Sequence, residues 1–269
     1  MTWRAVARHD RRQTRGVRSV RLLLGLLAFV ILAAAYVYPI DADDPVTTAR
    51  FTGYVVGWLT TVVPVVGVML GYDAVVSDRV SGAMRLTLSL PNGRRDLVLG
   101  KLASRAGLLT AVTLVALLGA GFLVVYPFGR LELPRSLAFV AVTVLFAVLW
   151  TGIGVAVSMA VATKQRALTA GFGILGLFIL LWGQLADLVA IGLEAIGLAD
   201  GGLPGPVRFL FSLTPGTAFE RITRGFLDPA SSVGGPWYLS EWVALAVFAC
   251  WLVAPLGLAF RRFAGSDLA

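Results

Sequence analysis

The sequence predicts an all-α integral membrane protein with six transmembrane helices. Apolar residues make up 58% of its 269 residues and charged residues only 14%, too few to cover a soluble domain of this length. The apolar residues fall into six runs, each long enough to cross roughly 30 Å of hydrocarbon as a helix. Basic residues collect in alternate connecting segments, which is typical of the loops of a membrane bundle.

The first 21 residues form a basic segment with seven arginines and a single acid, Asp10. Trp3, Val6 and Ala7 contribute to an apolar edge, so we expect an amphipathic helix on the membrane surface, with a disordered basic tail as the alternative. Residues 33–35 are alanines and resemble a signal-peptide cleavage site. The apolar residues continue beyond them, which favours an uncleaved span.

The apolar runs and their connections predict one transmembrane domain over residues 1–269. The predicted spans are residues 22–40, 51–72, 106–128, 137–162, 167–186 and 242–260. Two connections are long, residues 73–105 after the second span and residues 187–241 after the fifth.

The charges of these segments predict the orientation. Of the 23 basic residues, 17 lie in the two terminal segments, in residues 73–105 and in the short connection after the fourth span. The remaining connections hold 10 of the 15 acids. Positively charged loops stay in the cytoplasm. We therefore expect a multi-pass protein of the plasma membrane with cytoplasmic termini, a cytoplasmic 73–105 loop and an external 187–241 loop.

Four glycines of the second span, Gly53, Gly57, Gly67 and Gly71, project within one narrow arc of a helix. Small residues on one face let helices approach closely in lipid. The arc predicts either packing inside one subunit or the seam of a homodimer.

The external 187–241 loop contains one amphipathic stretch. Thr214 and Pro215 form a good helix start, and Phe219, Ile222 and Phe226 form an apolar stripe after it. Two interpretations remain open, a short external helix or a solvated loop that rests on the outer leaflet.

The composition excludes several classes of chemistry. The sequence holds no G-x-x-x-x-G-K-[ST] loop for ATP, and its single histidine, His9, and single cysteine, Cys250, argue against a metal centre. A G-x-G-x-x-G at residues 171–176 lies inside an apolar span with no strand before it, so helix packing explains it better than a dinucleotide. The scattered basic residues are topology signals and do not form a nucleic-acid surface.

The loop at residues 73–105 carries the most informative pattern. Ser77 or Asp78 is a possible cap for a short helix that runs from Arg79 towards Leu90. A break at residues 91–93 follows, and a second helix starts at Arg94 and continues into the third span. On these grounds alone, a solvated basic loop that only sets the orientation is an equal alternative.

Residues 77–105 read SDRVSGAMRLTLSLPNGRRDLVLGKLASR. This segment resembles the first cytoplasmic loop of ABC-2 type transporter permeases, whose pattern is close to E/D-R-x-x-G-T-x-x-L-x-L-S-x-P-x-x-R-x-x-x-x-x-G-K. The matching residues are Asp78, Arg79, Gly82, Leu86, Leu88, Ser89, Pro91, Arg94, Gly100 and Lys101. Two departures are mild, since Asp78 replaces the frequent Glu and Ala83 replaces the Thr.

The resemblance implies an ABC-2 permease-like bundle, and a loop that docks on a separate ABC ATPase subunit. The residues expected to carry this coupling are Asp78, Arg79, Val80, Gly82, Met84, Arg85, Leu88 and Pro91. ATP and Mg would be bound by that partner, and the permease would pair as a homodimer or with a related chain. Export is the usual direction in the family, which includes permeases for nitrous-oxide-reductase maturation. An integral membrane enzyme and a scaffold without transport are the alternatives.

Overall fold

The computed structural model describes residues 3–42, 45–83, 93–126, 129–199, 201–232 and 234–265. Within these ranges the chain is helical and forms no β-strand. Six helical stretches of the described chain are long and apolar enough to cross a membrane, which confirms the predicted fold class.

The helices are numbered in chain order. They are α1 Trp3–Gly16, α2 Arg18–Asp41, α3 Thr48–Gly71, α4 Val76–Val80, α5 Arg94–Val125, α6 Leu133–Ala160, α7 Lys164–Leu175, α8 Trp182–Ala195, α9 Gly205–Ser212, α10 Pro215–Ile222 and α11 Glu241–Gly265. A π-helical turn, Gly176–Leu181, joins α7 to α8 into one crossing. As the sequence predicts, α5 begins at Arg94 and continues without a break into the third apolar run.

Helix α6 lies at the centre of the bundle and is its most buried crossing. Helices α3, α5 and α11 pack around it, and α2 packs on α5. Phe146, Leu149 and Trp150 of α6 are almost fully buried in this core. The crossing formed by α7 and α8 is the least buried, so most of its apolar surface faces away from the chain.

The seam between α3 and α6 is the closest helix contact of the core. A Cβ atom at Gly71 would lie 2.6 Å from the carbonyl oxygen of Thr151 and 2.7 Å from the amide nitrogen of Val155. A Cβ at Gly67 would lie 2.8 Å from the Cβ of Trp150. The backbones approach this closely because side chains are missing at these glycines.

The four glycines of the α3 arc therefore have different surroundings. Gly67 and Gly71 pack inside the chain, and Gly53 faces the carboxylate of Asp228. A Cβ at Gly57 would meet no atom within 4 Å. Of the four positions, Gly57 is the one left open for contact with another molecule.

At the opposite end of the bundle from α1, helix α10 enters the core. Its N-cap is Thr214, whose hydroxyl accepts a hydrogen bond from the Thr217 amide, as the sequence predicts. Phe219 stacks on Phe146 with ring centroids 4.3 Å apart, and Ile222 is buried. The interpretation of this stretch as a solvated loop on the outer leaflet is wrong, because its apolar stripe packs between α6 and α11.

The fifth crossing is longer than predicted. It continues to Ala195, beyond the predicted end at residue 186, so Asp187 lies on the helix. A single charge in a long apolar run does not end a helix, whereas Gly197, with φ of 72°, does. Gly171 of the Gly-rich pattern packs on Val68 within this helical crossing. A phosphate-binding loop between a strand and a helix is therefore absent there.

Candidate functional site

Five charged side chains meet at the end of the bundle where α1 crosses α5. They come from α1, from the segment that follows α3, and from the first half of α5. We call this group the basal cluster, and its members are Asp10, Asp73, Asp78, Lys101 and Arg105. Two of these residues, Asp78 and Lys101, match the two ends of the ABC-2 loop pattern.

Asp10 is the centre of the basal cluster. Its two carboxylate oxygens lie 3.0 Å from Lys101 Nζ and 3.0 Å from Arg105 Nε. Lys101 Nζ also lies 2.9 Å from an oxygen of Asp78, and Arg105 Nη1 lies 2.8 Å from an oxygen of Asp73. The two cations thus join α1 to both acids of the segment after α3.

Three members of the basal cluster are shielded from solvent, whereas Asp73 and Asp78 are partly exposed. The exposed fractions of Asp10, Lys101 and Arg105 are 2%, 5% and 8%. Burial by itself raises the pKa of Asp10, but the charges of Arg105 and Lys101 outweigh it and hold that pKa below its ordinary value. Asp10 is therefore ionised at neutral pH, and each buried charge depends on its partners.

The carboxylates of the basal cluster serve as ion-pair partners. Within the described ranges, no group of three His, Cys, Asp or Glu side chains is placed so that it could hold a metal ion. The ion pairs are suited to holding helices together.

Gly100, which precedes Lys101 in the loop pattern, allows α1 to lie directly on α5. A Cβ atom at this position would lie 2.7 Å from the Cβ of Val6 and 2.8 Å from the carbonyl oxygen of Trp3. The two adjacent residues thus act together. Gly100 provides the close approach of α1, and Lys101 binds the acid that α1 brings.

Helix α4 is not the predicted helix from Arg79 towards Leu90. It runs over Val76–Val80 and ends close to where the predicted helix begins, and neither Ser77 nor Asp78 caps it. Instead, the Ser158 hydroxyl of α6 accepts hydrogen bonds from the amides of Val75 and Val76, both at 2.9 Å. A donor pair at a helix start needs an acceptor, and here a neighbouring helix supplies it.

The base of the loop then turns outward. Gly82 has a φ of 77°, a conformation that favours glycine, and Val80 is 59% exposed. The other residues of the proposed coupling loop, Met84, Arg85, Leu88 and Pro91, lie outside the described residues.

Two arginines flank this loop and both reach the end of α11. Arg79 donates to the carbonyl oxygen of Val161 at 2.9 Å, and its guanidinium lies 5.7 Å from the ring centroid of Phe263. The Arg94 guanidinium lies 5.7 Å from the same centroid and donates to the carbonyl oxygens of Phe263 and Ala264 at 2.7 and 2.9 Å. The two arginines of the loop pattern thus hold both sides of the loop against one helix end.

The sequence prediction lacks five residues of this site, which are Asp10, Asp73, Arg105, Ser158 and Phe263. Asp10 could have been singled out from the sequence, because it is a lone acid in a basic helix and lies close to the apolar edge formed by Val6 and Ala7. Nothing in the sequence pointed to Ser158 or Phe263, since their partners lie more than eighty residues away along the chain.

Fold and site together define a multi-pass protein of a cell membrane, with a charged loop base at one end and an uncharged apolar core. The model of the family described as "ABC-2 family transporter protein" matches residues 4–268, and the chain belongs to that family. It is also similar to a protein of Pseudomonas aeruginosa named "Probable ABC transporter permease protein NosY". The two are 27% identical over 271 residues, which cover 94% of each chain.

Proposed function

We propose that this chain is the membrane-spanning permease subunit of an ABC-2 exporter and is driven by a separate ABC ATPase that binds ATP and Mg. Membership of the ABC-2 family supports this proposal. The observation that carries it furthest is the basal cluster, in which the buried Lys101 and the partly exposed Asp78 of the family pattern form an ion pair of 2.9 Å. Two copies, or one copy and a related chain, would complete the transporter.

The contacts around α4 support a route for the coupling. In this proposal, the ATPase binds the loop over residues 84–92 from the cytoplasm and moves it when ATP closes the ATPase pair. Asp78 and Asp73 connect the loop base to α5 and α1 through Lys101 and Arg105. The Ser158 hydroxyl connects α4 to the central helix α6. A displacement of the loop would thus reach two crossings, α5 and α6, together with helix α1.

The proposal predicts that Met84→Asp and Leu88→Asp uncouple the permease from its ATPase. Buried apolar anchors at such interfaces often contribute about 2 kcal/mol or more each, roughly thirty-fold in affinity. We expect each variant to insert normally and to lose most of the binding of a co-expressed ABC ATPase. The measurement is co-purification of the ATPase and its rate of ATP hydrolysis in the complex.

Arg85→Ala is the matched control from the same loop. A charge at the rim of an interface affects encounter more than affinity, so this variant should be milder and more sensitive to salt. If both aspartate variants bind and stimulate the ATPase like the parent, the loop is only a topology signal. Chemical turnover by the purified chain alone would instead support a membrane enzyme.

A further inference from the structure

We propose that Phe263 is a positioning residue for the coupling loop, and that the C-terminal part of α11 moves together with that loop. This inference rests on the proposed function. Its structural part, the attachment of the loop base to α11, is testable in the permease without any ATPase.

The first observation is that both sides of the loop are attached to the same side chain. Arg79 precedes residues 84–92 and Arg94 follows them, and each guanidinium lies 5.7 Å from the ring centroid of Phe263. The ring is 2% exposed and the two arginines are partly exposed, so the cation–π contacts form at the edge of a buried aromatic side chain.

The second observation is the hydrogen bonding at the end of α11. The last carbonyls of a helix have no partner within the helix and favour a cation. Arg94 donates to two of them, the carbonyl oxygens of Phe263 and Ala264. The first helical residue after the loop therefore also completes the C-terminal end of α11.

The third observation is the distribution of anchors along α11. Its buried residues are Ala244 and Phe248 in its first half and Phe263 near its end. Pro255 lies between them, and a proline removes one backbone hydrogen bond and weakens the helix locally. Exposed residues such as Val253 and Leu258 occupy the stretch around the proline. The C-terminal part of α11 is held by Phe263 and the two arginines, and Leu256, Ala259 and Phe260 pack against the same apolar cluster as Phe263.

These observations assign α11 a role that the loop pattern alone does not suggest. Its first half is fixed to the core, since Phe248 packs near Phe146 with centroids 6.3 Å apart. Its last turns are fixed to the loop base. A displacement of the loop would therefore bend α11 at Pro255 and shift the last crossing relative to α6.

The test measures the distance between the loop base and α11 by spin labelling. Arg95→Cys and Arg261→Cys carry the labels, both at exposed positions, in a Cys250→Ser background. We expect one narrow distance distribution in the parent and a broad one in Phe263→Leu, which keeps an apolar side chain but has no ring. Phe263→Tyr keeps the ring face and should restore the narrow distribution.

Phe260→Leu is the matched control. Phe260 lies one turn earlier and packs against the same apolar cluster, and no guanidinium of the described residues stacks on its ring. In the complex, Phe263→Leu should also lose stimulation of the ATPase, whereas Phe260→Leu and Phe263→Tyr should retain it. A narrow distribution in Phe263→Leu, or a broad one in Phe263→Tyr, would overturn the positioning role. Failure of the parent to bind any ATPase would refute the proposed function and leave the distance measurement valid.

Discussion

Asp10→Asn is expected to destabilise the protein by about 1–3 kcal/mol, because it leaves two buried cations with fewer partners. Lys101 and Arg105 would each keep one acid, Asp78 and Asp73, but would lose the carboxylate that both share. The substitution preserves the size of the side chain, so packing should change little. The measurement is thermal unfolding of the purified protein in detergent.

Asp10 also determines part of the pH dependence of the protein's stability. The pKa of Asp10 is lower in the folded chain than in the unfolded one. Its contribution to stability is therefore fully present above about pH 4, the ordinary pKa of an aspartate, and is lost as pH falls through the lower folded-state pKa. The parent should lose this stabilisation in acid, and Asp10→Asn should lack that part of the acid dependence.

Glu132→Gln is the control for a less buried ion pair. Glu132 lies 2.8 Å from Arg135, and its side chain is 34% exposed. Partly exposed ion pairs of this kind contribute at most about 1 kcal/mol to the free energy of unfolding. Equal unfolding temperatures for Asp10→Asn and the parent would show that the basal cluster does not hold α1 in place.

Gly71→Leu is expected to be the second strongly destabilising change, because the leucine side chain would clash with the backbone of α6. The nearest atoms to a Cβ there belong to Thr151, Gly154 and Val155, at 2.6 to 2.8 Å, and a backbone does not move aside as a flexible side chain does. Overpacking of this kind lowers the free energy of unfolding by about 1–3 kcal/mol or more. We expect low yield of folded protein and early thermal unfolding.

Gly57→Leu is the matched control, since it makes the same change on the same helix. A Cβ at Gly57 meets nothing within 4 Å, so the fold should tolerate the leucine. If α3 also contacts a second subunit, this variant should fold normally and assemble poorly. Normal folding of Gly71→Leu would contradict the close α3–α6 seam.

The six crossings could be predicted from the sequence because the bilayer imposes a simple requirement, about twenty consecutive apolar residues per helix. The start of α5 at Arg94 and the cap at Thr214 could also be predicted, because helix breaks and caps depend on local sequence. The end of the fifth crossing was not, since the apolar residues after residue 186 allow either a helix or a loop.

The site was predictable only in part. The loop pattern pointed to Asp78, Arg79, Arg94 and Lys101, but not to what they bind. The acid that completes the basal cluster is Asp10, and Arg105 contacts it across 95 positions of sequence. Partners at such separations are set by how whole helices cross, which no local pattern encodes. For the same reason, the glycine arc of α3 left open which of its members faces α6.

The most direct test of the central claim is a cross-link between the loop and the ATPase. Ser89→Cys in a Cys250→Ser background carries a photoreactive maleimide, and Gly202→Cys carries it at the opposite end of the bundle. After co-expression with an ABC ATPase and illumination, the account predicts an adduct from position 89 and none from position 202. An adduct from position 202 alone, or labelling of position 89 by an impermeant reagent in intact cells, would contradict it.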